Sequence, residues 1–345
     1  MVIIVFSSQR QVKFIQQSKV FLILFSFILL GTALMEWEYY LAEGLKKRFL
    51  ERYGGKSLDE VFSGEEVGNC YLIEKKERVK IRFPESERAR WNLLSCLSLI
   101  PGIGPNREKK LKERGYSTLR DLINHPRFKD DASKILKCLE ERRIYEILEH
   151  MGRRFRKSHP LILQCAALHN LEKFLVLDIE TLGLFNAPII LIGTGEFRQD
   201  ELTIRQYFAR NLEEEKAIIL KFLELFRDKE ALLTFNGRRF DVPFIQERLR
   251  YYGIEESLEI PNYDVFLFSR SLIRGVPNYK LQTLERYLLG FKRGEDVPSA
   301  LIPDFYRYYL NTGDVALVIP IIKHNALDIV TTVKLFGTLL EMIKD

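Results

Sequence analysis

A chain of 345 residues with 46% apolar and 29% charged side chains has enough hydrophobic surface for a buried core, and no tract is poor enough in apolar residues to exclude folding. The length fits two domains of ordinary size, and the formal charge of +6 admits a polyanionic partner without requiring one. The four cysteines, Cys70, Cys96, Cys138 and Cys165, form no CxxC pair, which argues against a zinc site or disulfide framework and favours a reducing, cytoplasmic setting.

The first predicted feature is the apolar run VFLILFSFILLGTALM over residues 20–35, preceded by Arg10, Lys13 and Lys19. It reads as a signal or short membrane anchor, as a buried helix, or as sequence ahead of a true start at Met35. Starting at Met35 removes those three cations and no acid, lowering the net charge from +6 by three. A membrane partner is expected only under the anchor reading.

Residues 36–160 read as a smaller, mainly helical domain with one strand-like segment at 79–83. Within it, LSLIPGIGPNREKKLKERGYSTLRDLI over residues 97–123 has an apolar helix stopped by Pro101-Gly102-Ile103-Gly104 and a second helix opening at Pro105. This resembles a helix-hairpin-helix motif, in which glycines let the backbone approach a phosphate while the next helix offers free N–H groups. Gly102 and Gly104, with Lys109 and Lys110 on the second helix, are the candidate backbone contacts; Lys112 and Arg114 follow. Packing between helices is the alternative use, and a lysine run alone is commonly a solvated face. Glu108 stands where the motif usually has a small residue, facing either a phosphate, which it would repel, or solvent. One long helix is predicted over 132–154, then a basic linker, with the domain boundary between there and Leu171.

From Leu171 strands alternate with helices. FLVLDIET, PIILIGTGEF and ELTIRQYF read as three strands, residues 213–226 as a helix and ALLTFN as a further strand, giving a mixed sheet flanked by helices over 171–345. Asp178 and Glu180 are two apart on a strand, so both carboxylates project from one face and repel unless a cation lies between them. Alone, such a pair at a strand end is more often just solvated. Asp241 opens an apolar helix five residues after Asn236, where capping is the simpler role; His324 and Asp328 sit one helical turn apart.

Together, DIET, FNGRRFD and HNALD resemble the three motifs of the DEDD exonuclease superfamily. NYKLQTLERYLLG and VPSALIPDFYRYYLNTGD, ahead of HNALDI, are similar to the YprB-like ribonuclease H-like family, over about 175 residues from Leu171 to Asp345. The resemblance implies a ribonuclease H-like fold and a metal-dependent 3′–5′ exonuclease acting on single-stranded DNA or RNA. It implies that Asp178, Glu180, Asp241 and Asp328 hold two Mg²⁺ or Mn²⁺ ions, roughly 3.5 to 4 Å apart, and that His324 is the general base. In the family a histidine lies five residues before the last aspartate or a tyrosine four before; here a histidine stands at the tyrosine's spacing. Thr181 is expected at the terminal nucleotide or simply hydrogen-bonded locally at the strand end, Asn236 on the loop carrying Asp241, Lys280 at a phosphate or in solvent, and Asp264 as a helix cap or support. A structure-dependent endonuclease and a non-catalytic nucleic-acid binder are the competing functions.

Overall fold

The computed structural model describes residues 40–343, so the apolar run at 20–35 and Met35 lie outside the described residues. Strands β1 (Gly64–Glu66), β2 (Tyr71–Arg78), β3 (Phe174–Thr181), β4 (Ile189–Arg198), β5 (Glu201–Phe208), β6 (Ala231–Thr234) and β7 (Asn262–Asp264) form one sheet in the order β1-β2-β5-β4-β3-β6-β7. Pairing is antiparallel from β1 across to β3 and parallel from β3 through β6 to β7, which makes the sheet mixed as expected.

β3 runs through the middle of this sheet and is buried on both faces, which is why FLVL is a continuous apolar run rather than an alternation. Phe174 and Val176 face α12 (Val318–Met342), packing in one core with Ile329, Val333 and Phe336. Leu175, Leu177 and Ile179 face the other way, toward α7 (Glu215–Phe226) and α8 (Asp241–Tyr251). A buried ion pair ties those two helices to the sheet: Glu215 accepts from Arg248 Nε at 2.7 Å, from Tyr252 Oη at 2.6 Å and from the Ile189 backbone N–H at 2.8 Å.

α12 is apolar almost throughout because α9 (Val265–Leu272), α10 (Leu281–Leu288) and α11 (Ile302–Thr312) enclose it against the sheet. By length and composition it could cross a membrane, yet 72% of its apolar window is buried inside the molecule. A core helix is the economical explanation.

The N-terminal half departs from expectation at three points. Residues 79–83 carry no ladder; the strand lies just before them, where Tyr71 through Arg78 pair with Phe208 through Glu201 along their whole length. Its apolar residues stop halfway, as suits an edge-side strand, so alternation was a poor guide. This pairing also builds β1 and β2, from the segment read as a separate helical domain, into the C-terminal sheet. α1 (residues 40–53) likewise reaches across, setting Phe49 edge-on to Phe305 at 6.1 Å between centroids. Finally, the long helix predicted at 132–154 is two, α4 (Lys129–Glu140) and α5 (Ile144–Gly152), broken where Arg142 takes φ +53°. The remaining helices are α2 (Ser86–Ser95), α3 (Pro105–Glu113) and α6 (Pro160–Gln164).

Candidate active site

Asp178 and Glu180 follow Phe174 and Val176 on the α12 side of β3, at the end of the strand where a bulge between Glu180 and Thr181 breaks the register with β4. The parallel ladder to β6 has already ended at Leu177–Thr234, so the next outward N–H on that edge, Ile179's, lacks a strand partner. Asp241 supplies it: Oδ1 accepts from Ile179 N at 3.0 Å, fixing the first residue of α8 beside β3. The loop between β6 and α8 is held from below by Asp264, which accepts from the backbone N–H groups of Asn236 at 2.8 Å and Arg238 at 3.3 Å. Asp264 also accepts from Phe266 N as the cap of α9, so it both caps and supports. Asn236 turns the chain at φ +63°.

α12 crosses this strand end and adds His324, Asn325 and Asp328. Asp178, Glu180, Asp241, His324 and Asp328 all line one cavity of about 560 Å³, with Thr181, Asn236, Gly183, Leu184, Phe240 and Ser299 around them. Three segments far apart in sequence thus deliver the four predicted carboxylates and the predicted histidine to one place.

Burial holds the Asp178 carboxyl well above the usual range, and the neighbouring Asp328, Glu180 and Asp241 add to the rise. Burial pushes Glu180 up to about 8, against the pull of His324 and with help from Asp328 and Asp241. Asp241 rises to about 7, again chiefly by burial. Burial also raises Asp328, opposed by His324 and Arg293. For His324 burial disfavours the charge, but the hydrogen bond to Asp296 and the Asp328 and Glu180 charges outweigh it and push the imidazole up to about 9.

Two side chains that sequence reasoning passed over organise the histidine and Asp328. His324 Nδ1 lies 2.7 Å from Asp296 Oδ1, while Nε2 lies 3.4 Å from Ser299 Oγ and 3.6 Å from Asp328 Oδ2. With its proton on Nδ1 directed at Asp296, the ring turns Nε2 toward the cavity. Arg293 is clamped by Glu285, from Nε at 2.8 Å and Nη2 at 2.5 Å, and reaches Asp296 Oδ2 at 2.9 Å. Its Nη2 is also 2.6 Å from Asp328 Oδ1, an ion pair that ties Asp328 to the same clamp.

An all-carboxylate donor set fits a hard divalent cation. Among the described residues no trio of His, Cys, Asp or Glu is already gathered as a ligand cage, so the fit is one of chemistry rather than of a preformed geometry.

The other predicted positions are distributed differently. Thr181 lines the cavity, but its Oγ1 donates to Gly183 O at 2.7 Å, a local bond at the strand end. Lys280 is exposed just before α10 and stands outside the cavity lining. Gly102, Gly104, Lys109 and Lys110 are exposed on the hairpin and also outside that lining. Gly102 has φ +82°, whereas Gly104 sits at φ −101° with open space where a Cβ would project. Glu108 does not face a phosphate: it accepts from the Leu97 and Ser98 N–H groups at 3.2 and 3.1 Å and pairs with Lys112 at 2.8 Å, locking the hairpin. Besides Asp296 and Arg293, the reading missed Asn325 and Gln206, both buried polar residues whose signal was an amide inside an apolar helix or strand.

Comparison with known proteins agrees with this architecture. Residues 175–340 match the model of the ribonuclease H superfamily. The chain is 28% identical over 176 residues to the uncharacterized protein YprB of Bacillus subtilis, a match covering 49% of this chain and 42% of that one. It is 38% identical over 69 residues to the PolC-type DNA polymerase III of Ureaplasma parvum, covering 20% of this chain and 5% of the polymerase. Over 129 residues it is 25% identical to a DNA polymerase of Methanocaldococcus jannaschii, covering 30% and 8%. The chain therefore spans less than half the length of these relatives. Among solved structures, the family B DNA polymerase of Pyrobaculum calidifontis aligns with a TM-score of 0.40 and 16% identity, over 48% of this chain and 24% of that one. Residues 175–340 fold as a ribonuclease H-like α/β domain, with β1 and β2 extending its sheet beyond β5.

Proposed function

We propose that the chain is a divalent-cation-dependent nuclease of the DEDD type, removing nucleotides from the 3′ end of single-stranded DNA or RNA. The observation that carries this reading is the convergence of Asp178, Glu180, Asp241 and Asp328 on one cavity, beside a histidine oriented by a carboxylate. The similarity of short stretches to DNA polymerases supports a nucleic-acid substrate.

In this reading the four carboxylates would hold Mg²⁺ or Mn²⁺, two ions by the family resemblance, which would supply electrophilic stabilisation of the charge that builds on the phosphate. Asp178 and Glu180, fixed on β3, are the rigid half of the site; Asp241 and Asp328 meet them from two helices. Asp296 keeps the Nδ1 proton of His324 in place, so Nε2 is the atom that accepts a proton from the attacking water. The Asp296 hydrogen bond and the Asp328 and Glu180 charges hold a second proton on the ring; cations held by Asp328 and Glu180 would neutralise those two charges and bring the imidazole down toward the range of a base. Leu184, which lines the cavity, is 70% exposed and the next residue, Phe185, is 81% exposed, so this turn offers apolar surface for a terminal base. The hairpin around Gly102 and Gly104 would hold backbone away from the cut.

Labelled single-stranded DNA, single-stranded RNA and duplexes with free or blocked 3′ ends, incubated with Mg²⁺, Mn²⁺ or chelator, test this. Stepwise shortening from free 3′ ends, lost in chelator, is expected. Internal cuts in end-blocked strands would replace the exonuclease with an endonuclease, and no cleavage of any substrate would contradict the nuclease reading.

A further inference from the structure

Asp178 is joined to a chain of two side-chain amides. Asn325 Nδ2 donates to Asp178 Oδ2 at 2.7 Å and to the Asp178 backbone O at 3.1 Å. Behind it, Gln206 Nε2 donates to Asn325 Oδ1 at 2.8 Å and to the backbone O of Ile322 at 2.8 Å. Both amides are almost completely buried, so water is not there to compensate an error in their orientation.

The direction of this chain is set from its far end. A backbone carbonyl accepts only, so Ile322 O compels Gln206 to present its nitrogen. Gln206 nitrogen compels Asn325 to present its oxygen. The Nδ2 of Asn325 is thereby the group left for Asp178, whose backbone carbonyl only accepts and whose carboxylate, once ionised, does the same. Either amide turned over would place oxygen against a backbone oxygen inside the protein, a buried mismatch.

Gly193 makes room for it. It lies directly across from Asp178 in the β3–β4 register, and a Cβ there would run into Asn325 Oδ1 and approach Asn325 Cγ within 2.8 Å and Ile329 Cδ1 within 2.7 Å. The strand position neighbouring Asp178 is thus kept bare so that the amide from α12 can reach past it.

We propose that Gly193, Gln206 and Asn325 form a positioning relay that ties Oδ2 of Asp178 to the protein and leaves Oδ1 as the oxygen offered to a cation. None of the three touches the substrate; each acts through Asp178. This inference rests on the cation-binding reading of the cavity and deepens it. Outer partners of metal ligands typically govern affinity by about 10- to 100-fold, and that is the size of effect assigned to the amide contact here.

The test uses the full chain and Mn²⁺ alone, with free Mn²⁺ followed by electron paramagnetic resonance and metal-free thermal melting as the control for folding. Asn325→Ala should weaken Mn²⁺ binding by roughly 10- to 100-fold. Gln206→Met, which keeps the volume but frees Asn325 to turn over, should weaken it in the same direction by less, and Gly193→Ala should do so by displacing the amide. A side chain that only packs would change melting and leave Mn²⁺ affinity alone, so variants that melt near the wild-type temperature and bind Mn²⁺ normally overturn the relay. Side-chain amide NMR separates this from failure of the metal reading. The Asn325 Nδ2 protons should exchange slowly and shift in Asp178→Asn even without Mn²⁺; fast exchange and no shift overturn the relay. A wild-type protein that binds no Mn²⁺ but keeps those protected signals would instead contradict the cation site.

Discussion

His324 lies one turn before Asp328 on α12, and the ring is fixed from behind by Asp296 and from the side by Ser299. Replacing it with alanine leaves the four carboxylates in place, so His324→Ala is expected to keep divalent-cation affinity while lowering turnover by roughly a hundredfold, the usual effect of losing a positioned proton acceptor. Raising the pH should recover part of that loss. Normal turnover in the variant would return His324 to a packing role. The acids and this histidine were legible because their spacing is forced by local geometry: two residues apart on a strand, four apart on a helix, one at a helix start. Asp296, Gln206 and Asn325 were not, since Asp296 meets His324 across 28 residues, Gln206 meets Asn325 across 119 and Asn325 meets Asp178 across 147, pairings set only by the tertiary fold; Arg293 was missed with them because its contact with Asp328 is of the same kind.

Among the elements, β3 and α12 were readable because each is apolar on both sides of its polar insertions, as full burial demands. β2 was misplaced because only Tyr71, Leu72 and Ile73 face a core and the rest of the strand is charged. The break between α4 and α5 falls at Arg142, which takes a left-handed conformation that carries no strong residue signature. The hairpin before and within α3 was visible in Pro101-Gly102-Ile103-Gly104, but its partner was not. Gly104 is informative there: its φ of −101° suits any residue and nothing occupies the space of a Cβ, so the fold itself would accept a side chain. Close approach of a phosphate backbone is a reason to keep that surface bare. Gly102→Val with Gly104→Val should weaken nucleic-acid binding and reduce the slope of log affinity against log salt, because fewer phosphate contacts release fewer counterions. An unchanged slope would assign the hairpin to packing or protein contacts.

At the scale of the whole molecule, a cavity that gathers four carboxylates stores repulsion unless cations or protons relieve it. In the metal-free protein Glu180 stands at about 8, Asp241 at about 7 and His324 at about 9, each above its ordinary value. A group whose folded pKa is raised contributes stability below its unfolded pKa and loses it as pH rises through the folded one. His159 and His169 are shifted down, chiefly by burial, and act oppositely, but only below their ordinary 6.5. Between pH 6.5 and 8 the metal-free protein should therefore melt at progressively lower temperature. Mg²⁺ or Mn²⁺ should flatten that fall; a decline equally steep with saturating cation would mean that the acids do not bind it.

The most direct test of the account is cleavage of a 5′-labelled single strand by wild type and by Asp178→Asn, compared at equal protein concentration in Mn²⁺. Asparagine keeps the shape of residue 178 but not the charge that draws cations to the strand end. The prediction is metal-dependent 3′ shortening by the wild type and loss of activity by several orders of magnitude in a variant that melts normally. Cleavage by Asp178→Asn at the wild-type rate would contradict the assignment of the carboxylate cavity as the active site.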